Sequence, residues 1–207
     1  MGRKSIADER RTQIVQAFYH CVIKEGAAGA SIRKIATEAG VSPSTLHHYF
    51  KDRDEIIEEA VVLFTDEIFK RFAEKITPDF DAEVRLSKGL EFIFSNGMIN
   101  PDHTGFFLEC CVAARHNTRI KETIAELFTR FRTAIMDHLN GMAPFACLEE
   151  RQKKMFAAMI VALHEGIELQ WYADPEAICL EGALNATRAL ILFFVENPTC
   201  IEERRDP

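Results

Sequence analysis

Apolar residues recur at helical spacing along most of this 207-residue chain, and that spacing limits the possible folds more than any other feature of the sequence. In the first segment, Ile14, Ala17, Phe18, Cys21 and Val22 are spaced so that all of them share one face of a helix. No stretch shows the alternation of apolar and polar residues that a half-buried strand requires. The sequence therefore predicts an all-α fold, and its 47% of apolar residues suffice for a buried core.

Glycine, proline and polar turns separate the predicted helices. Gly26 and Gly29 are expected to end the first helix, Gly40 the second, and Thr77-Pro78-Asp79 the long fourth. We predict the first four helices at about residues 6–25, 32–39, 43–50 and 53–76. Five more are predicted at about residues 81–96, 104–115, 118–140, 149–172 and 176–195, with a break from Gly141 to Pro144.

The second and third helices have the features of a helix-turn-helix. Ser31 and Ser42 are suited to cap their N-termini, and Pro43 is tolerated at the first helical position. Three or four residues, including Gly40, separate the two helices. We expect Ala36 and Gly40 to be small because the helices cross closely there. A small core is expected to fix the crossing angle, formed by Ile35, Val41, Leu46 and Phe50.

Charge is distributed unevenly along the chain, whose formal net charge is -7. Residues 1–53 contain nine basic and five acidic side chains, a net charge of +4, so residues 54–207 carry -11. A basic region on an acidic protein indicates an anionic partner at one end. We therefore predict two domains, residues 1–53 and residues 54–207.

Three neighbouring motifs lie in the predicted helix-turn-helix region. They are Ile32-Arg33-Lys34-Ile35-Ala36-Thr37-Glu38-Ala39-Gly40-Val41-Ser42, Leu46-His47-His48-Tyr49-Phe50 and Lys51-Asp52-Arg53-Asp54-Glu55-Ile56-Ile57. Together they resemble the DNA-binding domain of the tetracycline-repressor (TetR) family of bacterial transcriptional regulators. The resemblance implies a DNA-binding domain at residues 1–53 and a helical ligand-binding and dimerisation domain at residues 54–207. The chain departs from the family pattern at His47, where a tyrosine is common, and at Arg53, where a lysine is common.

The resemblance implies a homodimeric repressor that binds double-stranded DNA at a pseudo-palindromic operator and is released by a small-molecule inducer. The third helix is then the recognition helix, since its polar side chains suit base edges and phosphates in a major groove. The residues expected to bind DNA are Arg33, Lys34, Ser42, Ser44, Thr45, His47, His48, Tyr49, Lys51 and Arg53. Four further cations either follow the DNA backbone or are only solvated, namely Arg3, Lys4, Arg10 and Arg11.

The last two predicted helices contain stretches that are apolar on every face, Met155 to Leu163 and Ala189 to Val195. Such helices must be covered on more than one side, either by a second subunit, which we favour, or within one chain. Residues 162–175 also resemble the eighth helix and following turn of many TetR-family members, including regulators of the choline-to-betaine type. In that family this helix and the next form a four-helix dimer interface, so Glu165 and Gln170 are interpreted as interface groups.

Polar side chains inside apolar helices of the larger domain indicate a ligand site, because burying them without a partner is costly. A carboxylate that faces an aromatic-lined cavity would suit a cationic ligand, and the phenylalanines would suit a hydrophobic one. The residues predicted to bind the unidentified effector are Phe106, Phe107, Glu109, Phe128, Phe131, Glu168 and Trp171. Simple core packing is the alternative for the aromatic residues.

Other classes of function leave weaker patterns. His164-Glu165-x-x-Glu168 is similar to a helical zinc-protease motif, but a glutamate stands where the second histidine is required. We therefore predict no enzyme, no catalytic residue, no cofactor and no metal. One alternative is a metal or redox sensor on the same DNA-binding scaffold, built from His103, His116, His138 and the pair Cys110-Cys111. Another is a helical protein-interaction module that does not bind DNA.

The sequence also favours a cytoplasmic protein. Its first eleven residues are rich in charge, which is not typical of a secretory signal. Its longest apolar run, Met155 to Leu163, is shorter than the roughly 18 residues that span a bilayer. The six cysteines are scattered and do not form the pattern of a disulfide framework.

Overall fold

The computed structural model describes residues 6–77, 79–146 and 148–197. These residues form ten helices and no strands, so the prediction of an all-α fold is confirmed. The helices are α1 (Ile6–Gly29), α2 (Ile32–Glu38), α3 (Pro43–Tyr49), α4 (Arg53–Lys75), α5 (Ala82–Ile93), α6 (Pro101–Ala114), α7 (Thr118–Leu139), α8 (Ala143–Ala146), α9 (Glu150–Ala173) and α10 (Leu180–Glu196). Within this described part of the chain, no helix is long and apolar enough to cross a membrane.

Helices α1 and α8 differ from the predicted boundaries. The first helix continues to Gly29, but Gly26 has φ 71° and ψ 170°, so the expected interruption is present as a kink inside α1. The segment from Gly141 to Pro144 was wrongly predicted as a break only, because the short helix α8 begins within it at Ala143. A single turn of helix is too short to give the periodic signal on which the prediction depends.

The start of α10 was also predicted wrongly, at residue 176 instead of Leu180. Asp174 Oδ1 accepts hydrogen bonds from the backbone N–H groups of Glu176 and Ala177, each at 3.2 Å. These bonds hold the segment in a turn, which competes with a helix for the same backbone groups. The helix begins later, where Cys179 is the N-cap residue.

Serine caps fix the two short helices as the sequence predicts. Ser31 Oγ accepts from the backbone N–H of Lys34 at 3.4 Å, and Ser42 Oγ accepts from that of Thr45 at 3.1 Å. Three members of the predicted small core are buried, because Ile35 and Leu46 are fully buried and Phe50 is 1% exposed, whereas Val41 is only half-buried. Helices of seven residues are not stable alone, so these contacts and caps hold α2 and α3 in place.

The sequence indicated that Gly40 is small because α2 and α3 cross closely. The structure gives a different reason for this glycine. Its φ is +64°, a conformation that residues with a Cβ rarely adopt, and a Cβ added there would have no atom within 4 Å. Close crossing of the helices therefore does not explain this glycine. Ala36, by contrast, is fully buried and does occupy a crowded position.

The described helices divide into two compact units. The first contains residues up to Phe69 together with Asp102–Leu127, and it includes the helix-turn-helix. Its aromatic centre joins α1 to α6, where the Phe106 ring lies 6.0 Å from that of Phe18 and 5.0 Å from that of Tyr19. At the start of α7, Asn117 Oδ1 accepts backbone hydrogen bonds while its Nδ2 donates to Asp54 of α4 at 2.7 Å.

The second unit contains residues 70–101 and the described residues from Phe128 onward. Its core is apolar and joins α5, α8, α9 and α10. The buried members are Leu90, Phe94, Ile99, Leu139, Met142, Phe145, Leu148, Phe156, Ile160 and Ile191. The two units are separate folding cores, whereas the boundary at residue 53 between a DNA-binding and a ligand-binding domain stays a prediction.

The role of Gly40 can be tested with a pair of substitutions. We expect Gly40→Ala to lower the free energy of unfolding by about 1–2 kcal/mol, because only the backbone conformation disfavours the new Cβ. Gly89→Ala, in the middle of α5, should raise it by about 0.5–1 kcal/mol, since its Cβ would meet one side-chain atom at 4.0 Å. Urea unfolding followed by circular dichroism measures both. Equal stabilities of the two variants would contradict this account of Gly40.

Candidate nucleic-acid interface

Helix α3 presents a polar face to solvent. Ser44, Thr45, His47 and His48 are exposed, while Leu46 between them is fully buried. Because Leu46 anchors the opposite face in the core, the four exposed side chains have a fixed direction relative to α1 and α2. An exposed helix with short hydroxyl and imidazole side chains is suited to entry into a major groove.

Ser42 holds two roles at the beginning of α3. Its Oγ caps the helix through Thr45 N–H and also lies 2.8 Å from Ser44 Oγ and 2.8 Å from Thr45 Oγ1. The predicted DNA contact of Ser42 therefore has to coexist with the capping bond. These three bonds use the one donor and the two acceptor positions of the hydroxyl, so a DNA contact that keeps the cap would have to replace the bond to Ser44 or to Thr45 Oγ1.

Arg11 fastens α1 to the end of α3 and to α4. Its guanidinium donates to Glu59 and Glu55 of α4 and to the backbone carbonyl of Tyr49, and it lies 4.2 Å from the centre of the Phe50 ring. The hydrogen bonds to Glu59 raise the pKa of Arg11 above its ordinary value. Arg11 therefore links α1 to α3 and α4 within the protein, a role that the sequence alone did not indicate.

Arg53, at the beginning of α4, makes a second link within the protein, to the end of α1. Its Nε donates to the carbonyl of Ala30 at 3.1 Å and its Nη2 to that of Ala27 at 2.5 Å, while the guanidinium carbon lies 5.6 Å from the centre of the Phe18 ring. Ala27 lies in the last turn of α1, where its carbonyl also accepts from the backbone N–H of Ala30 at 3.2 Å, and Ala30 directly follows the helix. The predicted phosphate contact of Arg53 would be made by a side chain that is already engaged within the protein.

The other predicted DNA-binding residues lie around α3. Arg33, Lys34 and Lys51 are exposed, although the Lys34 ammonium also pairs with Glu25. Tyr49 is half-buried, with its ring 5.2 Å from the His48 ring. Arg10 donates to Gln13 at 2.7 Å, and Arg3 and Lys4 lie outside the described residues.

The predicted ligand-binding residues are distributed over both units. In the first, Phe106 is 2% exposed and packs in the aromatic centre, which corresponds to the core-packing alternative; Phe107 and Glu109 are half-buried on the same helix. In the second, Phe128 and Phe131 are half-buried and Trp171 packs against the apolar core. Because these residues belong to two units, their assignment to one site stays a prediction.

Glu168 belongs to a cluster of three polar side chains in the second unit. His164 Nδ1 lies 3.6 Å from Glu165 Oε1 and 3.8 Å from Glu168 Oε2, and His164 Nε2 lies 3.0 Å from the carbonyl oxygen of Ile93. Burial lowers the pKa of His164, but the two carboxylates and the Ile93 carbonyl raise it more, so the net pKa is above the ordinary value. The site therefore favours positive charge.

The alternative metal site built from three separate histidines is not assembled in the described part of the chain. His103 packs against the ring of Phe64, at 5.2 Å between centres, and His138 Nδ1 lies 2.8 Å from the carbonyl oxygen of Ala134. Among the described residues, the cluster His164, Glu165 and Glu168 is the one group of three whose ligating atoms lie within 4.8 Å of one another. The sequence signal for it was present as the incomplete zinc motif.

Cys110, one of the two adjacent cysteines, does not have the properties of a redox sensor. Cys110 is 2% exposed, and burial raises the pKa of its thiol to about 12. A sensor needs the opposite, an accessible thiol with a lowered pKa, because the thiolate is the reactive form. The redox alternative therefore loses its main candidate.

The fold and the exposed α3 define a helix-turn-helix protein followed by a second, all-helical unit. Residues 14–60 match the family described as "Bacterial regulatory proteins, tetR family", and residues 82–193 match "BetI-type transcriptional repressor, C-terminal". The chain belongs to the tetR family of bacterial regulatory proteins. It is a transcriptional regulator of the BetI type; the motifs around α3 predicted the family, and residues 162–175 the likeness to choline-to-betaine regulators.

Individual relatives agree over nearly the whole length. The transcriptional regulator PksA of Bacillus subtilis is 25% identical over 202 residues, which are 96% of this chain and 94% of PksA. A transcriptional regulator of Pseudomonas aeruginosa PAO1 has a similar structure, with a TM-score of 0.82, 22% identity and 93% of each chain covered. A regulator of Saccharomonospora viridis, solved in complex with choline, has a TM-score of 0.74 at 20% identity, over 91% of this chain and 96% of that one.

The raised pKa of Cys110 makes its reactivity testable. At pH 8, a pKa of about 12 leaves about one thiol in ten thousand ionised, so Cys110 should react with iodoacetamide far more slowly than Cys179, which is exposed. Peptide mapping by mass spectrometry gives both rates in the folded protein. Unfolding in urea should bring the two rates together. Fast alkylation of Cys110 in the folded protein would contradict its burial.

Proposed function

We propose that this regulator is a homodimeric repressor that binds a pseudo-palindromic operator through α3 of each protomer and releases it when a small molecule binds. The observation that carries the proposal is the exposed polar face of α3, held in a fixed direction by buried Leu46. Two copies related by a twofold axis would place their α3 helices at half-sites about one helical turn of DNA (~34 Å) or a multiple apart. A signal that changes this separation changes operator affinity.

The proposed recognition surface consists of side chains on α3 and of cations beside it. His47 and His48 lie in the last turn of α3, and Lys51 follows it in the chain. The exposed hydroxyl and imidazole groups are assigned to base edges and nearby phosphates, and Arg33 and Lys51 to phosphates. Each phosphate that a cation neutralises releases counterions, so the complex should weaken steeply with salt.

An exposed apolar stripe on α9 supports a dimer through the last two helices. Met155, Met159, Ala162, Gly166 and Leu169 are spaced by 4, 3, 4 and 3 residues, so they follow one side of the helix. Met155 is 57% exposed and Leu169 is 51% exposed. A contiguous exposed apolar surface is typical of an interaction site, and the small residues at its centre allow two helices to approach closely.

Helix α10 continues this surface with the same spacing. Gly182, Ala186, Ala189 and Phe193 are exposed at intervals of 4, 3 and 4 residues, and Phe193 is 52% exposed. In a twofold dimer the same surface of each protomer meets its copy, so α9 and α10 of both chains would form a four-helix interface. The predicted interface roles of Glu165 and Gln170 are part of this proposal.

The effector is proposed to be a small cationic or hydrophobic molecule. The likeness to a regulator that binds choline supports a cation, and half-buried Glu109 among the aromatic residues of α6 offers a carboxylate for it. The effector must bind the DNA-incompetent state more tightly than the other state. A typical coupling free energy of about 1–3 kcal/mol would lower operator affinity about 5- to 150-fold.

The proposal is tested by binding to labelled DNA from upstream of the regulator's own gene, at several salt concentrations, with random DNA of equal length as reference. We expect specific binding with a steep salt dependence. The double variant His47→Ala/His48→Ala should lose at least about tenfold in affinity, because each lost contact costs about 1–3 kcal/mol. Lys51→Ala should reduce the slope of log affinity against log salt by about 1.

Exposed histidines elsewhere provide the matched control for this experiment. His20→Ala in α1 and His116→Ala after α6 remove the same side chain from positions outside α3, and both should bind DNA as the unchanged protein does. Choline and its uncharged isostere 3,3-dimethylbutanol can then be added to the complex to test the cationic effector. A folded His47→Ala/His48→Ala protein with full operator affinity would refute the assignment of α3.

The dimer is tested by placing charge on the apolar stripe. Leu169→Glu combined with Phe193→Glu should convert a dimer into a monomer, since two protomers would bury four uncompensated carboxylates. Light scattering coupled to size-exclusion chromatography measures the mass. Val62→Glu in α4 and Val112→Glu in α6 are controls at equally exposed positions outside the stripe. Dimers that survive the double substitution would place the interface elsewhere.

A further inference from the structure

We propose that His164, Glu165 and Glu168 of α9 bind one divalent transition-metal ion, such as Zn²⁺. This site lies in the second unit, and it includes Glu168, which was predicted to bind the effector, and Glu165, which was predicted to lie in the dimer interface. One imidazole nitrogen and two carboxylate oxygens face a common point, with all their ligating atoms within 4.8 Å of one another. An imidazole ligand favours zinc and its neighbours over Mg²⁺ or Ca²⁺, which prefer oxygen alone.

The carbonyl of Ile93 fixes which nitrogen of His164 is available. A carbonyl oxygen only accepts hydrogen bonds, so Nε2 at 3.0 Å must carry the hydrogen. In the neutral ring, Nδ1 then has its lone pair directed toward the two glutamates. A histidine that binds a metal through one nitrogen almost always donates its other N–H to such a carbonyl or carboxylate. Ile93 therefore supplies the outer contact that a metal-binding histidine needs.

The separations in the cluster are close to those between ligands that share one ion. Zinc lies about 2.0–2.2 Å from nitrogen and oxygen ligands, which puts neighbouring ligands of a tetrahedral ion about 3.4 Å apart. Nδ1 is 3.6 Å from Glu165 Oε1 and 3.8 Å from Glu168 Oε2, so small side-chain movements would complete the geometry.

The sequence spacing and the burial also suit a metal site. His164 and Glu168 are four residues apart and therefore neighbours on one face of α9, while the long side chain of Glu165 reaches the same point. The side chains of His164 and Glu168 are each 12% exposed and that of Glu165 is 29% exposed, which leaves a route from solvent. His164 and Glu168 are on the other side of α9 from the apolar stripe, since Ala162 precedes His164 by half a turn, whereas Glu165 lies beside the stripe.

Binding of the ion would couple two helices of the second unit. His164 contacts the backbone at the end of α5 through Ile93, and its ring lies 5.9 Å from that of Phe94. A metal on Nδ1 would fix the ring orientation and so hold α9 against the end of α5. We assign the ion a stabilising role for this contact, with at least one coordination position left to water.

The test uses the full-length protein after removal of metals by a chelator. Zinc content after equilibrium dialysis against ZnCl₂ gives stoichiometry and affinity, and long-range ¹H–¹⁵N spectra of the imidazoles identify the ligating nitrogen. We expect one Zn²⁺ per chain, with a shift at His164 Nδ1 and the hydrogen retained on Nε2. The affinity should fall at least about tenfold in His164→Gln and, independently, in Glu168→Gln. Circular dichroism checks that each variant is folded.

Control variants separate this site from other zinc ligands. His116→Gln removes an exposed histidine, Glu126→Gln an exposed glutamate and Cys179→Ser an exposed thiol, and all three should keep the full affinity. Failure of the unchanged protein to bind one equivalent of zinc would overturn the proposal. So would equal affinity in folded Glu168→Gln, which would mean that Glu168 is not a ligand of the ion. Neither readout involves DNA or an effector, so the proposed regulator function is tested separately.

Discussion

The guanidinium groups of two arginines hold α4 against α1, and the position of α3 depends on them. Arg11 of α1 reaches Glu55 and Glu59 of α4, and Arg53 of α4 reaches the carbonyl groups at the end of α1. One arginine lies on α1 and the other on α4, so each helix donates hydrogen bonds toward the other. Charge-assisted hydrogen bonds of partly buried arginines are stronger and more directional than those between neutral groups. The start of α4 therefore moves with α1 as one body.

This attachment also determines what α3 can do. The carbonyl of Tyr49, the last residue of α3, accepts a hydrogen bond from Arg11, and the next residue, Phe50, lies under the same guanidinium. A seven-residue helix has too little internal stability to hold its own direction. Its orientation is thus inherited from contacts at both ends, the Ser42 cap and the Arg11 bond. Arginines that sequence reasoning associates with DNA are here needed for the shape of the domain that presents α3.

The sequence was sufficient for the features that local patterns encode. Helical spacing predicted the long helices, and Ser31, Ser42 and Pro43 predicted where the short ones begin. The errors arose where one residue decides between competing structures, as Asp174 does when its carboxylate delays the start of α10. Contacts between residues that are distant in the sequence could not be predicted, because no periodicity of the sequence indicates them.

The candidate sites also combine features that local sequence patterns predict with contacts between distant residues that they do not. The exposed face of α3 followed from its motif, whereas the roles of Arg11 and Arg53 depend on partners 23 to 48 residues away in the chain. The pattern His164-Glu165-x-x-Glu168 was visible but incomplete as a protease motif. The carbonyl of Ile93, 71 residues away, selects the tautomer of His164, and this contact makes the cluster a candidate metal site. Such a pairing is a property of the packed core.

The hydroxyl groups at the beginning of α3 bear on how strictly an operator would be read. Ser42 lies within hydrogen-bond distance of Ser44 and of Thr45, and in each of these two pairs either oxygen can be the donor. A hydroxyl hydrogen rotates about its C–O bond, so the same group can offer a donor to one base and an acceptor to another. Opposite this end of the helix, several base pairs would be accommodated at nearly equal energy. If α3 binds DNA as proposed, its N-terminal tip would tolerate different bases, and discrimination among operators would fall to the side chains that follow it.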